Sequence, residues 1–464
     1  MSPNSLRFEP KLKLPKRSDF VIRNGYILSV DAEIGNLDGA DLHVRNGIII
    51  AIGVGLDAGK AIEIDGSGMI VMPGFIDTHW HLWSTLFRNL LRPDRGYFDL
   101  LYGLAPHFSA VDFYHSVRLA LAEATSAGIT TILNFSHNTR TPAHADAEIA
   151  AHVESGLRGR YSYGHVSGMP STEVMPLYDL PRVQRDWFGT NGPASDRLSL
   201  GYSWRGPLLT PPEVYRPEFE AARNLGLPIT THAGQGPPYK IDAAQMQKDG
   251  FLGPEMLLVH FLEARAEDRQ ALVETGTSLS IGMQSEQHFG AQCDLRSHLL
   301  HCLDDGVNLC LSIDATSAAS VNPFENMSFA WYTGIPWPDT PTAKIPSVNF
   351  RQCIEMTTIN SARAMGLDYH IGSLTPGKCA DLIMLRATDL NMAPFGEIDG
   401  AVVRSATPAN VDMVVADGRI LKRGGKLLTI DIDEIISDAS AALHAVLTRA
   451  GGVFAPSTTI ARRY

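Results

Sequence analysis

The sequence predicts an α/β protein: a (β/α)8 TIM-like barrel with a small β-sandwich domain built from both chain ends. Two observations predict this fold. Between residues 71 and 370, eight short apolar segments with strand character alternate with longer segments of helical periodicity, as in βα units around a parallel sheet. On either side of this region, short β-rich segments are broken by Asn-Gly, Asp-Gly and Gly turns, which indicates antiparallel strands.

Composition places the chain among globular proteins and excludes some partners. It has 464 residues, 44% of them hydrophobic, which suffices for a large core. The formal net charge is -11, without the block of Lys and Arg that nucleic acids or anionic membranes attract, so we expect neither partner. There is no apolar stretch of about 18 residues and no apolar centre typical of an export signal in the N-terminal segment. Five cysteines without a C-x-x-C pair indicate reduced thiols, and we therefore expect a cytoplasmic location.

The two chain ends are predicted to share one small β domain. Residues 1–18 form an N-terminal arm, and residues 19–70 supply the first part of the β-sandwich domain. Residues 371–428 return to the same rhythm of short strands and supply the second part. Residues 429–464 form a C-terminal helical tail, because this segment begins with Asp, places apolar residues at helical spacing and reaches Gly-Gly at its stop.

Residues 71–370 are predicted to form the barrel. The eight candidate strands are GFIDTH (74–79), TTILNF (130–135), RYSYGHV (160–166), LSLGYSW (198–204), LPITTH (227–232), MLLVHF (256–261), TSLSIG (277–282) and NLCLSID (308–314). In barrels of this kind the catalytic side chains lie at the C-terminal ends of the strands. The polar side chains of these segments fall at the same ends, which predicts a functional site there.

Metal-capable side chains are found at four of these strand ends. His79 and His81 are one residue apart, and side chains at positions i and i+2 of a strand point the same way. The others are His232, His260 and Asp314. A lone histidine on an apolar strand is more often a hydrogen-bonded core residue, but five such groups at strand ends indicate a metal site. Imidazole and carboxylate are ligands of zinc or ferrous iron that leave a position open for water.

Six segments spread over nearly the whole chain carry a family resemblance. They are VMPGFIDTHWHLWSTLFRN, AGITTILNF, LPITTHAGQ, LLVHFLEARAEDRQALVETGTSLS, LSIDATSA and TTINSARAMGLDYHIGSLTPGKCADLIML. Together they resemble the amidohydrolase superfamily, in its branch of cyclic-amidine and triazine hydrolases and deaminases. The most specific features are the His-x-His after PGFIDT and the C-terminal IGSLTPGKCADLIML.

The resemblance implies a site for one metal ion. In this reading His79, His81, His232 and Asp314 bind a single divalent ion, with zinc favoured over iron. Asp314 and His260 are the implied catalytic residues: Asp314 accepts a proton, and His260 contacts the bound water or the substrate. The fourth predicted strand ends in LSLGYSWRGP, without the carbamylated lysine that bridges two metals in binuclear relatives.

Two positions depart from the family pattern. Gln235 stands where deaminases of this branch have a glutamate that transfers protons to the ring nitrogen and the leaving ammonia. An amide does not titrate near neutral pH, so ordinary deamination is in question. Ile281 stands where relatives have the histidine of an HCP motif. Either Gln235 binds a substrate whose leaving group needs no glutamate, or another group, Glu286 or His288, transfers the proton.

Residues near the predicted barrel mouth are candidate substrate contacts. They are Trp80, Trp83, His137, Trp204, Arg205, Gln235 and His288, with His165 as a further candidate. The alternative for the tryptophans is that they pack loops against the barrel. Arg205 suits either a substrate carboxylate or carbonyl, or an ion pair with an acidic loop residue.

These features predict an amidohydrolase that cleaves a carbon–nitrogen bond of a small aromatic or heterocyclic substrate through a metal-activated water. The alternative within the same fold is a hydrolytic dechlorinase or N-dealkylating aminohydrolase on a heteroaromatic ring. The alternative from another class is a catalytically inactive binding scaffold, against which the five intact metal-capable residues argue. The family resemblance also implies a homo-oligomer, a dimer or larger.

Overall fold

The computed structural model describes residues 8, 10, 14–194, 196–234, 242–289, 294–335, 347–394 and 396–454. The strands are β1 Phe20–Leu28, β2 Asn36–Arg45, β3 Ile48–Gly53, β4 Ile62–Asp65, β5 Met69–Pro73, β6 Phe75–Trp80, β7 Ile129–Ser136, β8 Arg158–Gly164, β9 Leu198–Ser203, β10 Ile229–Ala233, β11 Met256–His260, β12 Ser278–Ile281, β13 Leu309–Leu311, β14 Leu382–Arg386, β15 Val411–Ala416, β16 Arg419–Arg423 and β17 Lys426–Leu427. The α-helices are α1 Tyr97–Leu104, α2 Ala110–Ala127, α3 Pro142–Ser155, α4 Leu180–Phe188, α5 Gly206–Leu209, α6 Pro212–Asn224, α7 Ala243–Lys248, α8 Ala266–Thr275, α9 Met283–Phe289, α10 Leu295–Asp304, α11 Pro323–Gly334, α12 Phe350–Met356, α13 Ile359–Ala364, α14 Ile398–Arg404 and α15 Ile432–Arg449. Short 3-10 helices span Leu82–Phe87, Ala105–His107, Leu177–Asp179 and Pro408–Asn410.

Nine strands from both chain ends form the small sheet. Its order is β17-β16-β15-β14-β5-β1-β2-β3, with β4 paired to β1. The pairs β1–β4 and β1–β5 are parallel and the others are antiparallel. Apolar side chains from both segments, such as Phe20 and Leu42 from the first and Leu382 and Val415 from the second, share one buried cluster. The prediction of one β domain built from both ends is therefore confirmed.

Eight parallel strands form the barrel, in the order β13-β12-β11-β10-β9-β8-β7-β6, and each overlaps a predicted strand. The first and last strands approach each other through a bridge between Trp80 and Asp314, so the predicted barrel is confirmed. The last strand is shorter than the prediction of residues 308–314. The reason is that the Ile313 N–H donates to the carboxylate of Asp77 instead of to a neighbouring strand.

The sheet and the barrel join at the N-terminal ends of the barrel strands. Gly74 links β5 to β6, and a Cβ there would lie 2.2 Å from Thr130, so only glycine fits this crossing. Arg158, the first residue of β8, forms buried ion pairs of 3.2 Å with Asp381 and with Asp417 from the small domain. These contacts hold the end of the barrel that is opposite the predicted site, where stability is the usual role.

In the C-terminal segment, helix α15 spans Ile432–Arg449. At its start, the Asp431 carboxylate accepts hydrogen bonds from the backbone N–H groups of residues 433 and 434. The helix packs against α2, where Arg118 pairs with Glu434 and Asp438. Within the described ranges, no helix combines the length and the apolar character needed to cross a membrane.

A buried carboxyl group supports the C-terminal end of β7. Glu148 of α3 has no exposed surface and accepts hydrogen bonds from Asn134 and Ser136, which lie on β7. Burial raises the pKa of Glu148 from 4.5 to about 7, because the hydrogen bonds offset only part of the desolvation of the carboxylate. Phe135, between the two partners, contributes a backbone carbonyl to the site described below.

The raised pKa of Glu148 predicts that stability falls between pH 4.5 and 7. In this window the folded state binds one more proton than the unfolded state, so the free energy of unfolding decreases as pH rises, in total on the order of 3 kcal/mol from this group. Glu148→Gln removes the titrating group, and we expect its unfolding free energy to depend less steeply on pH than that of the wild type. Urea unfolding at several pH values measures the two slopes, and equal slopes would contradict the prediction.

Candidate metal centre

The centre begins where the first and last barrel strands meet. His79 Nε2 lies 3.2 Å and His81 Nε2 3.3 Å from the same oxygen, Oδ1 of Asp314, although 235 residues separate His79 from Asp314. The two imidazole rings are 4.6 Å apart and nearly perpendicular. The predicted convergence of the two histidines occurs even though His81 is the first residue beyond β6.

Two further strands complete the cluster. His232 on β10 and His260 at the end of β11 stack with 5.4 Å between ring centres, and the His232 ring lies 4.9 Å from His79. The nitrogen atoms of His79, His81 and His232 lie within 4.8 Å of one another. Ligand atoms of His79, His260 and Asp314 satisfy the same limit, so the five predicted residues form one cluster.

Backbone contacts fix the positions of these side chains. The N–H of Asp314 donates to the carbonyl of His79, and the N–H of His81 donates to the carbonyl of Asp314, both at 2.8 Å. The buried carboxylate of Asp77 accepts from the N–H groups of His79 and Ile313 and so ties the same two segments together. Asp314 has a φ of 68°, and such left-handed backbone outside glycine persists where the surroundings enforce it, often at functional sites.

Burial sets the charge of the cluster. It lowers the pKa of His79 from 6.5 to about 3 and holds the pKa of His232 well below 6.5, so both imidazoles are neutral at physiological pH. Burial alone would raise the pKa of Asp314, but its contacts with the imidazoles of His79 and His81 outweigh this effect and keep that pKa well below its ordinary value. Neutral imidazoles and an ionised carboxylate are the forms that bind a divalent metal.

The hydrogen bonding of His81 provides a test of whether a cation fits. Its Nδ1 lies 3.0 Å from the backbone carbonyl of Phe135, which can only accept, so Nδ1 carries the proton. A neutral His81 then directs the lone pair of Nε2 at a carboxylate oxygen 3.3 Å away. Two electron pairs in contact require a cation or a proton between them. Together with the unpartnered, buried Nδ1 of His79, this donor set fits a metal ion.

The cluster forms the base of a cavity of about 130 Å³. His81, His232, His260 and Asp314 line the base, and the predicted His137 and His165 line one side. The remaining wall is largely apolar and comprises Tyr97, Phe98, Leu101, Tyr102, Leu208 and Leu209, together with Ser167 and Gly168. Sequence reasoning missed this wall, although the aromatic residues of α1 lie in the loop region after the first barrel strand, where substrate contacts are expected.

A carboxylate outside the cavity orients His260. Glu286 on α9 is buried, and its Oε1 lies 2.6 Å from Nδ1 of His260. The carboxylate and the site charge of Asp314 outweigh burial and raise the pKa of His260 above 6.5. Glu286 therefore acts on the site by contacting His260. His288, on the same helix, is exposed and does not line the cavity formed by the described residues.

None of the three predicted tryptophans lines the cavity formed by the described residues. Trp80 is fully buried because it lies between His79 and His81 and points to the opposite face of β6. Trp204 packs against α6, where its Nε1–H donates to the carbonyl of Tyr215. Trp83 is also fully buried, but its Nε1–H donates to Nδ1 of His137 and so reaches the cavity indirectly.

Arg205 is also not a cavity residue. Its side chain is buried and paired with the carboxylate of Glu218, and it donates to the carbonyls of Pro170 and Glu173. Arg205 therefore forms an ion pair, but its acidic partner lies on helix α6 and not on a loop as expected. Its contacts hold the segment of Pro170 and Glu173 against α6. Gln235 lies outside the described residues.

Relatives of known activity match almost the entire chain. A 5'-deoxyadenosine deaminase of Methanosarcina mazei is 27% identical over 452 residues, covering 93% of this chain and 99% of the relative. A 5-methylthioadenosine/S-adenosylhomocysteine deaminase of Moorella thermoacetica is 26% identical over 404 residues, covering 84% of this chain and 91% of the relative.

Solved structures match the fold. An adenosine deaminase from Xanthomonas campestris with bound zinc superposes with a TM-score of 0.78 at 17% identity, covering 94% of this chain and 100% of that one. A Glu-to-Gln variant of atrazine chlorohydrolase from Arthrobacter aurescens, complexed with zinc and atraton, superposes with a TM-score of 0.76 at 19% identity, covering 91% and 100%.

The profile of the Amidohydrolase family matches residues 70–421, which include the whole barrel and most of the small sheet's second part. The predicted superfamily is thereby confirmed, and the chain belongs to the amidohydrolase family.

Proposed function

We propose that this amidohydrolase cleaves a carbon–nitrogen bond of a small aromatic or heterocyclic molecule with the help of one bound divalent metal ion. The observation that carries the proposal is the convergence of neutral imidazoles and one ionised carboxylate at the base of a cavity with an apolar wall. Relatives that deaminate adenosine derivatives support the bond type, since each acts on an aromatic nitrogen heterocycle.

His79, His81, His232 and Asp314 are the residues that would hold the ion, and zinc is the favoured metal because two matched structures contain it. A divalent ion bound there would lower the pKa of a water molecule from about 15.7 toward 7 and so supply the nucleophile at neutral pH. One ion per chain is proposed, because the predicted fourth strand, β9, carries no lysine for a second ion.

The residues around the ion have separate tasks. The Asp314 carboxylate, ionised in the folded protein, is the group able to accept the proton that the nucleophile loses. Glu286 accepts the hydrogen bond from Nδ1 of His260, which leaves Nε2 of that ring for the reacting group in the cavity. The apolar wall that includes Tyr97 and Leu101 binds the flat body of the substrate and excludes water.

A second candidate is the displacement of a different leaving group, such as halide or an alkylamine, from a heteroaromatic ring. Gln235 favours the halide within this candidate, because the glutamate expected there in deaminases supplies a proton to the leaving ammonia. An alkylamine needs the same proton, whereas halide leaves as a stable anion. The matched chlorohydrolase shows that this fold supports that chemistry in another protein. A binding scaffold without catalysis is disfavoured by the complete cluster of five metal-capable residues.

We also propose a reducing, cytoplasmic setting and a homo-oligomeric state, a dimer or larger. The four cysteines in the described ranges are free thiols, which supports the first proposal. The oligomeric state rests on the family resemblance of the sequence alone, and gel filtration with light scattering tests it.

Metal analysis tests the centre. Zinc-loaded wild type should contain about one ion per chain, and His79→Ala should lose most of the ion and lower turnover more than about a thousandfold, because a ligand is missing. His152→Ala, which removes a buried histidine far from the cluster, should keep both metal and activity. Mass spectrometry measures the metal content of each variant. Full turnover by metal-free enzyme would overturn the proposal.

A substrate panel tests the leaving group. Amino, alkylamino and chloro derivatives of the same triazine and pyrimidine rings are compared, with products identified by mass spectrometry. If the amide at position 235 limits proton delivery, Gln235→Glu should raise the release of ammonia relative to that of chloride. Gln245→Glu, at an exposed position of helix α7, adds the same charge elsewhere and should change the release of neither ammonia nor chloride. Release of chloride alone would favour the second candidate.

A further inference from the structure

Two histidines beside each other in the site have opposite hydrogen-bonding roles. The rings of His81 and His137 lie 4.1 Å apart, and both line the cavity. His81 donates from Nδ1 to the Phe135 carbonyl, which leaves the Nε2 lone pair for a metal. His137 Nδ1 lies 3.1 Å from Nε1 of Trp83, and an indole N–H can only donate. The Nδ1 of His137 must therefore accept.

The protonation of His137 follows from this bond. An imidazolium carries protons on both nitrogens, so a ring whose Nδ1 accepts a hydrogen bond is the neutral form and carries one proton. With Nδ1 accepting, that proton is on Nε2. A protonated Nε2 has no lone pair for a metal, so His137 is distinguished from His81 and lies outside both candidate ligand sets. It presents a hydrogen-bond donor.

Trp83 is held firmly enough to enforce this arrangement. Its side chain is fully buried, stacks on Phe113 with 5.3 Å between centres and 9° between planes, and meets Phe87 and Phe108 edge to face. Rotation of the indole would disturb this aromatic cluster. The donor to His137 is thus fixed in direction before any substrate binds.

We propose that Trp83 is a positioning residue that fixes His137 as a hydrogen-bond donor, and that the site selects an uncharged heterocycle with an acceptor beside the reacting carbon. A pyridine-type ring nitrogen or a ring carbonyl oxygen has this chemistry. An uncharged substrate is favoured because, away from the proposed metal ion, the described lining residues include no Lys or Arg to balance a carboxylate or phosphate. The substrate class in this inference rests on the proposed function, whereas the assignment of His137 as a donor rests on geometry.

Neutron diffraction from crystals of the zinc-loaded enzyme tests the donor without any turnover. The inference predicts deuterium on Nε2 of His137 and none on Nδ1. Deuterium on Nδ1, or a metal ion bound to His137, overturns it. A wild-type enzyme that is inactive on every panel compound would reject the proposed function but would leave this result to decide the inference by itself.

Steady-state kinetics test whether the site selects its substrate through the His137 donor. For the panel compound turned over fastest, Trp83→Phe should reduce kcat/KM roughly ten- to hundredfold, mainly through KM, with unchanged zinc content, since a binding hydrogen bond is lost. Trp204→Phe removes the hydrogen bond of an equally buried indole that does not line the cavity formed by the described residues, and it should leave KM unchanged. If Trp83→Phe and Trp204→Phe change KM to the same extent, the proposal is overturned.

Two further comparisons separate a donor from mere packing. His137→Gln retains an N–H donor and should keep more activity than His137→Leu, while both keep the zinc; zinc loss in either would make His137 a ligand and overturn the inference. An analogue with C–H in place of the ring nitrogen beside the reacting carbon should bind the wild type more weakly and be insensitive to Trp83→Phe. If Trp83→Phe affects this analogue as strongly as the parent compound, the proposed selection for a ring acceptor is wrong.

Discussion

The structure of the site depends on closure of the barrel between its first and last strands. Reciprocal backbone hydrogen bonds of 2.8 Å join His79 and His81 to Asp314, and the Asp77 carboxylate ties the same segments together. Because the side chains alternate along the first strand, the two histidines face inward while Trp80 faces the surrounding core. A carboxylate distant in sequence thus comes to within 3.3 Å of both imidazoles. The remaining ligands join this nucleus from parallel strands that end at the same level.

The hydrogen-bond partner of each Nδ1 atom distinguishes the histidines of the site from one another. The carbonyl of Phe135, the indole of Trp83 and the carboxylate of Glu286 each meet the Nδ1 atom of a different imidazole. The first partner accepts a hydrogen bond, the second donates one and the third is a carboxylate. These contacts support the proposed roles of His81 as a metal ligand, His137 as a hydrogen-bond donor and His260 as the group oriented toward the reactant. Residue type alone would make the three equivalent. Their surroundings make them different, as is general for histidines around metal centres.

Sequence was sufficient for the barrel, for the β domain from both ends and for the family, all of which are confirmed. It also grouped the five residues that the structure brings together, because strand ends in a parallel barrel share one edge. It did not locate the cavity wall on α1, nor separate Trp83 from Trp204. Strand periodicity says which residues face inward, whereas the contacts of loops and helices depend on tertiary packing that leaves no periodic signal.

The central claim is that imidazoles from separate strands surround one ion together with Asp314. Anomalous diffraction at the zinc edge, from crystals grown with excess zinc, measures this most directly. The account predicts one strong peak about 2.0–2.2 Å from nitrogen atoms of His79, His81 and His232 and from an oxygen of Asp314. Absence of a peak at this position, or a peak held by other residues, would contradict it.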